Sequence, residues 1–120
     1  MSLQTCYQEL GGDFHDVMQR LPYESMVKKF VLKFLDDTSF DDLCTAMKTE
    51  DYAKAFMASH TLKGICQNLS FTRLYQSSAK LTEVLRDSTL DIMQAKLLAV
   101  TVIEDYQITA EAIKKFKNEN

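Results

Sequence analysis

The sequence predicts an all-α protein, an up-down-up-down antiparallel four-helix bundle with a short N-terminal helical extension. Three observations predict it. The 120 residues include only three Gly and one Pro, whereas a β-sandwich or barrel needs turn residues about every eight to twelve positions. The composition, 46% hydrophobic and 26% charged, suits a chain that folds around a core and not a disordered one. Apolar residues recur at helical spacing over most of the chain beyond Pro22. A chain of this length buries roughly two-thirds of its unfolded surface and needs neither disulfides nor a structural metal. A single domain over 1–120 is expected, with the extension over 1–22 and the bundle over 23–117.

Residues 1–22 are the least regular part. Gly11-Gly12 reads as a flexible joint between two short helical pieces, with Tyr7, Leu10, Phe14, Val17, Met18 and Leu21 offering apolar contacts. Leu21-Pro22 sets up a helix start. From Tyr23, the residues Met26, Val27, Phe30, Val31, Phe34 and Leu35 form a stripe, interrupted by Asp36-Asp37-Thr38-Ser39 and resumed by Phe40, Leu43, Cys44 and Met47. That pattern fits one kinked helix or two nearly collinear ones, with Ser39 as an N-cap and Asp42 as a first-turn acid. Thr49 is a fair N-cap for the next helix, about 50–69. A third follows over about 71–87, with Phe71, Leu74, Tyr75, Ser78, Leu81 and Leu85 on one face. The last covers about 90–116, roughly 40 Å of helix, with a stripe of Met93, Leu97, Val100, Ile103, Tyr106, Ala110 and Ile113. Links of two to four residues force neighbouring helices to run antiparallel.

Fourteen basic residues against seventeen acidic give a net charge of −3, which argues against binding a nucleic-acid backbone. The basic run Lys114-Lys115-Phe116-Lys117 sits where cations complement a helix C-terminus. Cys6, Cys44 and Cys66 are odd in number and contain no C-x-x-C pair. No secretory leader is expected, since Gln4–Glu9 is polar, and the apolar run 97–103 is too short to cross a bilayer. Free thiols in a cytoplasmic setting, and a monomer, are the expectation.

The segment 55–69 carries the functional signal. On a helical wheel Ala55, Ala58, Leu62, Ile65, Cys66 and Leu69 gather on the core side, and His60 lies about 200° from Leu62, pointing out of the bundle. Phe56, Met57, Lys63, Gly64 and Gln67 surround it. A helix-interior Gly costs about 1 kcal/mol relative to Ala, which makes sense on an exposed face if something must approach the backbone closely. Phe56 and Met57 place apolar surface outside the core, as a docking patch would. Lys63, at i+3, stands where it can neutralise an anion held on the ring.

His60-Thr61-Leu62-Lys63-Gly64 resembles the H-x-L-K-G motif of histidine-containing phosphotransfer (HPt) domains. Asp51-Tyr52-Ala53 is similar to the family's approach to the motif helix, and Gly12-Asp13-Phe14 and the 30–35 stretch resemble its N-terminal region. The resemblance implies a phosphorelay carrier that accepts a phosphoryl group on His60 from a receiver-domain aspartate, or passes it to one. It implies Lys63 as the cation beside the phosphate and Gly64 as the small residue that gives a receiver access. Phe56, Met57 and Gln67 then border the partner-binding surface. The implied partners are response-regulator receiver domains or a hybrid sensor histidine kinase. No cofactor is expected on this chain; the Mg²⁺ and acidic pocket would belong to the receiver. The chain departs from the family at Ile65 and Cys66, where small residues often follow the Gly, and at Ser70, where Gly is frequent. Ser70 is expected to cap the following helix.

Other chemistry is poorly represented. The paired glycines open no phosphate-cradling loop, so an ATP site of its own is not expected. Cys66 falls on a different face from His60, and no carboxylate lies at i±3 or i±4 to orient the imidazole as a general base. His15 has no second His or Cys at ligand spacing, and 36–42 lacks the Gly and terminal acid of a Ca²⁺ loop. No metal site is expected. The alternative to a phosphocarrier is a non-catalytic helical adaptor that binds receiver or kinase domains without moving phosphate.

Overall fold

The computed structural model describes residues 1–119, which form seven helices and no strands. They are α1 (Leu3–Leu10), α2 (Phe14–Arg20), α3 (Glu24–Phe34), α4 (Ser39–Lys48), α5 (Tyr52–Asn68), α6 (Thr72–Arg86) and α7 (Ile92–Glu119). The chain is an all-α helical bundle, as its scarcity of breakers predicts. α5 packs between α4 and α6, and α6 packs in turn on α7. The 23–48 stretch is two helices separated by Leu35–Thr38, the second of the two arrangements its sequence allows.

Helix starts are fixed by side chains that accept from otherwise unpaired N–H groups. Ser2, Asp13, Asp51 and Asp91 accept from the amides of Thr5, Asp16, Lys54 and Gln94. Two expected caps are elsewhere. Thr49 closes α4 instead of opening α5, its hydroxyl donating to the Thr45 carbonyl, and Asp51 takes the N-cap. Ser39 is the first residue of α4 and is buried, while the Asp37 carboxylate accepts from its amide. An acid two residues upstream suits this role better because Ser39 is drawn into the core.

The first twenty residues are not an appendage. Leu3, Cys6, Tyr7 and Leu10 are fully or almost fully buried, and α1 lies along α7. The Gly11-Gly12 pair is tied down and not a loose joint. Gly11 closes α1 in the left-handed conformation (φ 77°), where a side chain is strained. At Gly12 a Cβ would come within 2.8 Å of the Ser70 carbonyl oxygen. Asp13 N–H donates to that same carbonyl and Arg73 N–H to the Gly11 carbonyl, sewing the α1–α2 turn to the α5–α6 turn. Ser70 therefore has a different job from capping α6. It sits in the left-handed conformation (φ 56°), where Gly is favoured, and its hydroxyl bonds Asp16 and Arg20. Glu50 (φ 59°) has the same conformation at the other end of α5.

Aromatic rings run through the core as a connected chain. Phe14 and Phe71 flank Tyr7, each at 5.6 Å, and Phe71 meets Phe34 edge-on at 5.2 Å. Phe34 touches Tyr106, which stacks on Phe40 at 3.8 Å. α3 and α4 thus reach α7 mainly through rings.

The stripe expected on α7 is turned to the wrong side over its first half. Met93 and Leu97 are 71% and 65% exposed, and Val100 and Ile103 also face solvent. The residues turned inward are Ala95, Leu98, Ala99, Val102, Tyr106, Thr109, Ala110, Ala112, Ile113 and Phe116. The physical reason is the period. Met93, Leu97, Val100, Ile103 and Tyr106 are spaced by four, three, three and three, and each step of three falls about 60° short of a full turn. A line drawn through them drifts around the helix, whereas the true core line keeps the 3.6 period with smaller residues.

The Tyr7 hydroxyl, wholly buried, donates to the Leu69 carbonyl at 2.7 Å. Tyr7→Phe leaves that carbonyl short of a donor and is expected to cost about 1–2 kcal/mol, read as a lower urea midpoint; an unchanged midpoint would show that the bond contributes nothing.

Candidate functional site

α5 is positioned by what it buries. Ala55, Ala58, Leu62 and Cys66 form its core line, and the small side chains at 55, 58 and 59 let α4 and α6 approach closely. Ser59, next to His60 in sequence, is completely buried. Its hydroxyl donates to the Thr82 hydroxyl on α6 at 2.7 Å. Thr82 also donates to Ser78, and Ser78 to Leu74. This inter-helix network locks the rotation of α5. A residue 100° further round must then point to water, and His60 does.

The imidazole of His60 is exposed and takes part in no hydrogen bond or ion pair among the described residues. Its one ring contact is Phe56, one turn earlier, with centroids 5.8 Å apart and planes tilted by 33°. Met57 is 66% exposed and Gln67 is exposed, while Phe56, Lys63 and Gly64 are half-buried. Among the described residues Lys63 also makes no ion pair, and it lies one turn from His60 on the same helix. A Cβ built on Gly64 meets nothing within 4 Å. Packing inside this chain therefore does not demand glycine there. All six residues singled out in the sequence fall on one face of α5.

Arg86 was not singled out, and it joins this face. Its guanidinium carbon lies 5.5 Å from the centre of the Phe56 ring, a cation–π arrangement. Glu83 holds the same guanidinium at 3.5 Å. The only sequence signal for Arg86 is the antiparallel pairing itself: with Ser59 opposite Thr82, position 56 falls near the end of α6. Two hollows flank the face. One, about 880 Å³, runs between α4 and α5 and carries Asp37, Asp42 and Asp51 beside Met57 and Thr61. The other, about 520 Å³, lies beyond Gly64 and is mostly apolar, with Leu21, Phe30, Phe34, Ile65 and Leu69.

The remaining candidates separate cleanly from the face. Cys66 is fully buried in the core, and burial pushes its thiol far above the ordinary range, so it is neither near the imidazole nor a thiolate. Cys6 is pushed up to about 11 for the same reason, with Glu9 adding to the effect. His15 is a surface residue whose Nε2 lies 3.0 Å from the Gln19 amide. Among the described residues, no three His, Cys, Asp or Glu side chains converge as a metal site would require. Ile65 is half-buried instead of fully in the core, lining the apolar hollow. Among the same residues, no helix is long and apolar enough to cross a membrane.

Comparison with known proteins adds one finding. No curated protein and no solved structure matched the chain. The family model described as Hpt domain matches residues 30–114, from within α3 to within α7, and spans the whole of α5. Hpt domains are phosphocarrier modules that work with receiver domains and kinases in two-component signalling. With the match covering well over half of the sequence, on a helical bundle that carries His60 outward, the chain belongs to the Hpt domain family.

Proposed function

We propose that the protein is a phosphorelay carrier that takes a phosphoryl group on His60 from the aspartate of a receiver domain and returns it to another, with no ATP site of its own. The observation that carries this reading is an outward, unbonded imidazole one turn from a helix-interior glycine with open space where its side chain would be. In the transfer, the lone pair of an imidazole nitrogen attacks the phosphorus of the acyl phosphate. The N–P bond forms as the P–O bond to the aspartate breaks, and the aspartate leaves as a carboxylate with the bonding pair. The reverse steps pass the group onward. The receiver supplies Mg²⁺ and the acidic pocket, which neutralise charge on the transferring group.

Each residue of the face has a part in this scheme. The Lys63 ammonium, one turn from His60, offsets the negative charge of the phosphoryl oxygens before and after transfer. Gly64 leaves the gap through which the receiver's active-site rim reaches the ring. Phe56 and Met57 provide apolar contact, and Gln67 a polar edge. Arg86 is a positioning residue, holding Phe56 against the imidazole. The reaction takes place where receivers and sensor kinases meet, in the cytoplasm.

Incubation with a phosphorylated receiver is expected to give acid-labile phosphate on the wild-type chain and none on His60→Gln. Persistence of the label in that variant would remove His60 from the scheme and favour a chain that binds receivers without phosphate moving through it. Lys63→Ala is expected to slow transfer or shorten phosphohistidine lifetime by about ten-fold, equivalent to some 1.4 kcal/mol, with the thermal midpoint unchanged; equal rates would discard its role. Gly64→Phe is expected to abolish transfer while the helix stays intact or gains up to about 1 kcal/mol. Normal transfer through that variant would refute the access argument.

A further inference from the structure

Among the described residues no hydrogen bond or ion pair fixes the direction of the His60 imidazole, and its one wall is aromatic. Phe56 lies one turn before it, with ring centroids 5.8 Å apart and planes tilted by 33°. A helical side chain leans toward the N-terminus of its helix, over the residue four positions earlier, so position 56 is where α5 can brace the ring. Four positions later stands Gly64, which has no side chain to offer. Phe56 is itself held from α6. The Arg86 guanidinium carbon lies 5.5 Å from its ring centre, and Glu83 holds that guanidinium at 3.5 Å. Glu83 directly follows Thr82, whose hydroxyl is bonded to Ser59, so this series of contacts starts beside the one that sets the rotation of α5. Met57, the other apolar residue of the face, is 66% exposed, whereas Phe56 is half-buried.

We infer that Glu83, Arg86 and Phe56 form a buttress from α6 to α5 that holds the His60 imidazole in one rotamer, which makes Phe56 a positioning residue for phosphoryl transfer. The kinetic consequence rests on the phosphocarrier reading, while the buttress is a property of the free chain. An exposed side chain with no bonded partner divides itself between the two χ1 rotamers open to it in a helix. An aromatic contact made in only one of them shifts that division by about two- to ten-fold. In-line transfer needs the imidazole nitrogen aligned with the P–O bond that breaks. Only rings in the competent rotamer accept the group, and the rate follows their fraction. Receiver binding depends instead on apolar surface that docking removes from water, of which the exposed Met57 side chain offers more than half-buried Phe56. The two neighbours therefore act on different quantities, Phe56 on the rate at saturation and Met57 on the concentration that reaches it.

Proton NMR of the full, unphosphorylated chain tests the buttress directly. The expected result is one dominant set of His60 Hα–Hβ couplings, with cross-relaxation between the Phe56 and His60 rings. Phe56→Leu is expected to average those couplings with circular dichroism unchanged, Arg86→Gln to average them in part, and Phe56→Tyr, which keeps the ring, to preserve them. Couplings that are averaged in the wild type, or that stay fixed in Phe56→Leu, overturn the inference. Single-turnover transfer from a phosphorylated receiver, over a range of chain concentrations, then separates rate from affinity. Phe56→Leu is expected to lower the saturating rate about three-fold while the half-saturating concentration moves less than that, and Phe56→Tyr to recover the rate. Met57→Ala is expected to act chiefly on the half-saturating concentration. A Phe56→Leu variant that raises only that concentration makes Phe56 a docking contact and overturns its positioning role. A wild-type chain that takes no phosphate counts against the phosphocarrier reading and not against the buttress, which the couplings decide by themselves.

Discussion

The rotation of α5 about its own axis is the setting on which the rest of this molecule depends. Ala55, Ala58, Leu62 and Cys66 pull one side of the helix into the core, and the Ser59–Thr82 hydroxyl contact pins that side to α6. The two effects are different in kind. Burial of apolar area tolerates a few degrees of slip, whereas a 2.7 Å bond between two fully buried hydroxyls does not. Its neighbour in sequence is consequently delivered to solvent at a fixed angle. Turning α5 by a single residue's 100° would bury an imidazole without partners and expose Leu62, both costly. The face around His60 thus needs no loop to build it, and helices hold their side chains more tightly than loops do.

Much of this was legible in the sequence, and the parts that were not share a cause. The wheel around His60 could be read because its core side is made of clearly apolar or small residues and because Gly64 breaks the rule for helix interiors. The α7 stripe was misread because its exposed line is richer in large apolar residues than its buried one. Ala95, Ala99, Thr109 and Ala110 fill the narrow space beside α6 and α1, so size and hydropathy point outward while packing points inward. A period count would have detected it; a count of apolar residues did not.

The caps and Arg86 were missed for a different reason, which is that their roles are set by tertiary neighbours. Thr49 and Ser39 both have the chemistry of an N-cap, and the chain uses Asp51 and Asp37 because of where Ala46, Ala55 and the Ser39 side chain come to rest. Ser70 replaces a residue type suited to positive φ and keeps the conformation, with its hydroxyl bonded to Asp16 and Arg20. Arg86 reaches Phe56 only because α5 and α6 are in one particular register. Local sequence contains the donors and acceptors but not the addresses.

The end of α5 has one further consequence. Its last carbonyls are satisfied from far upstream: Gln67 accepts from the Arg20 guanidinium and Leu69 from the Tyr7 hydroxyl. Both donors lie before residue 30, where the family match begins. A fragment trimmed to 30–114 would retain His60, Lys63, Gly64 and every side chain around them, yet lose the donors that finish the helix beneath them and the α1 surface that shields α7. The boundary of the family match and the boundary of the folding unit are therefore two different places in this chain, and the first twenty residues belong to the second.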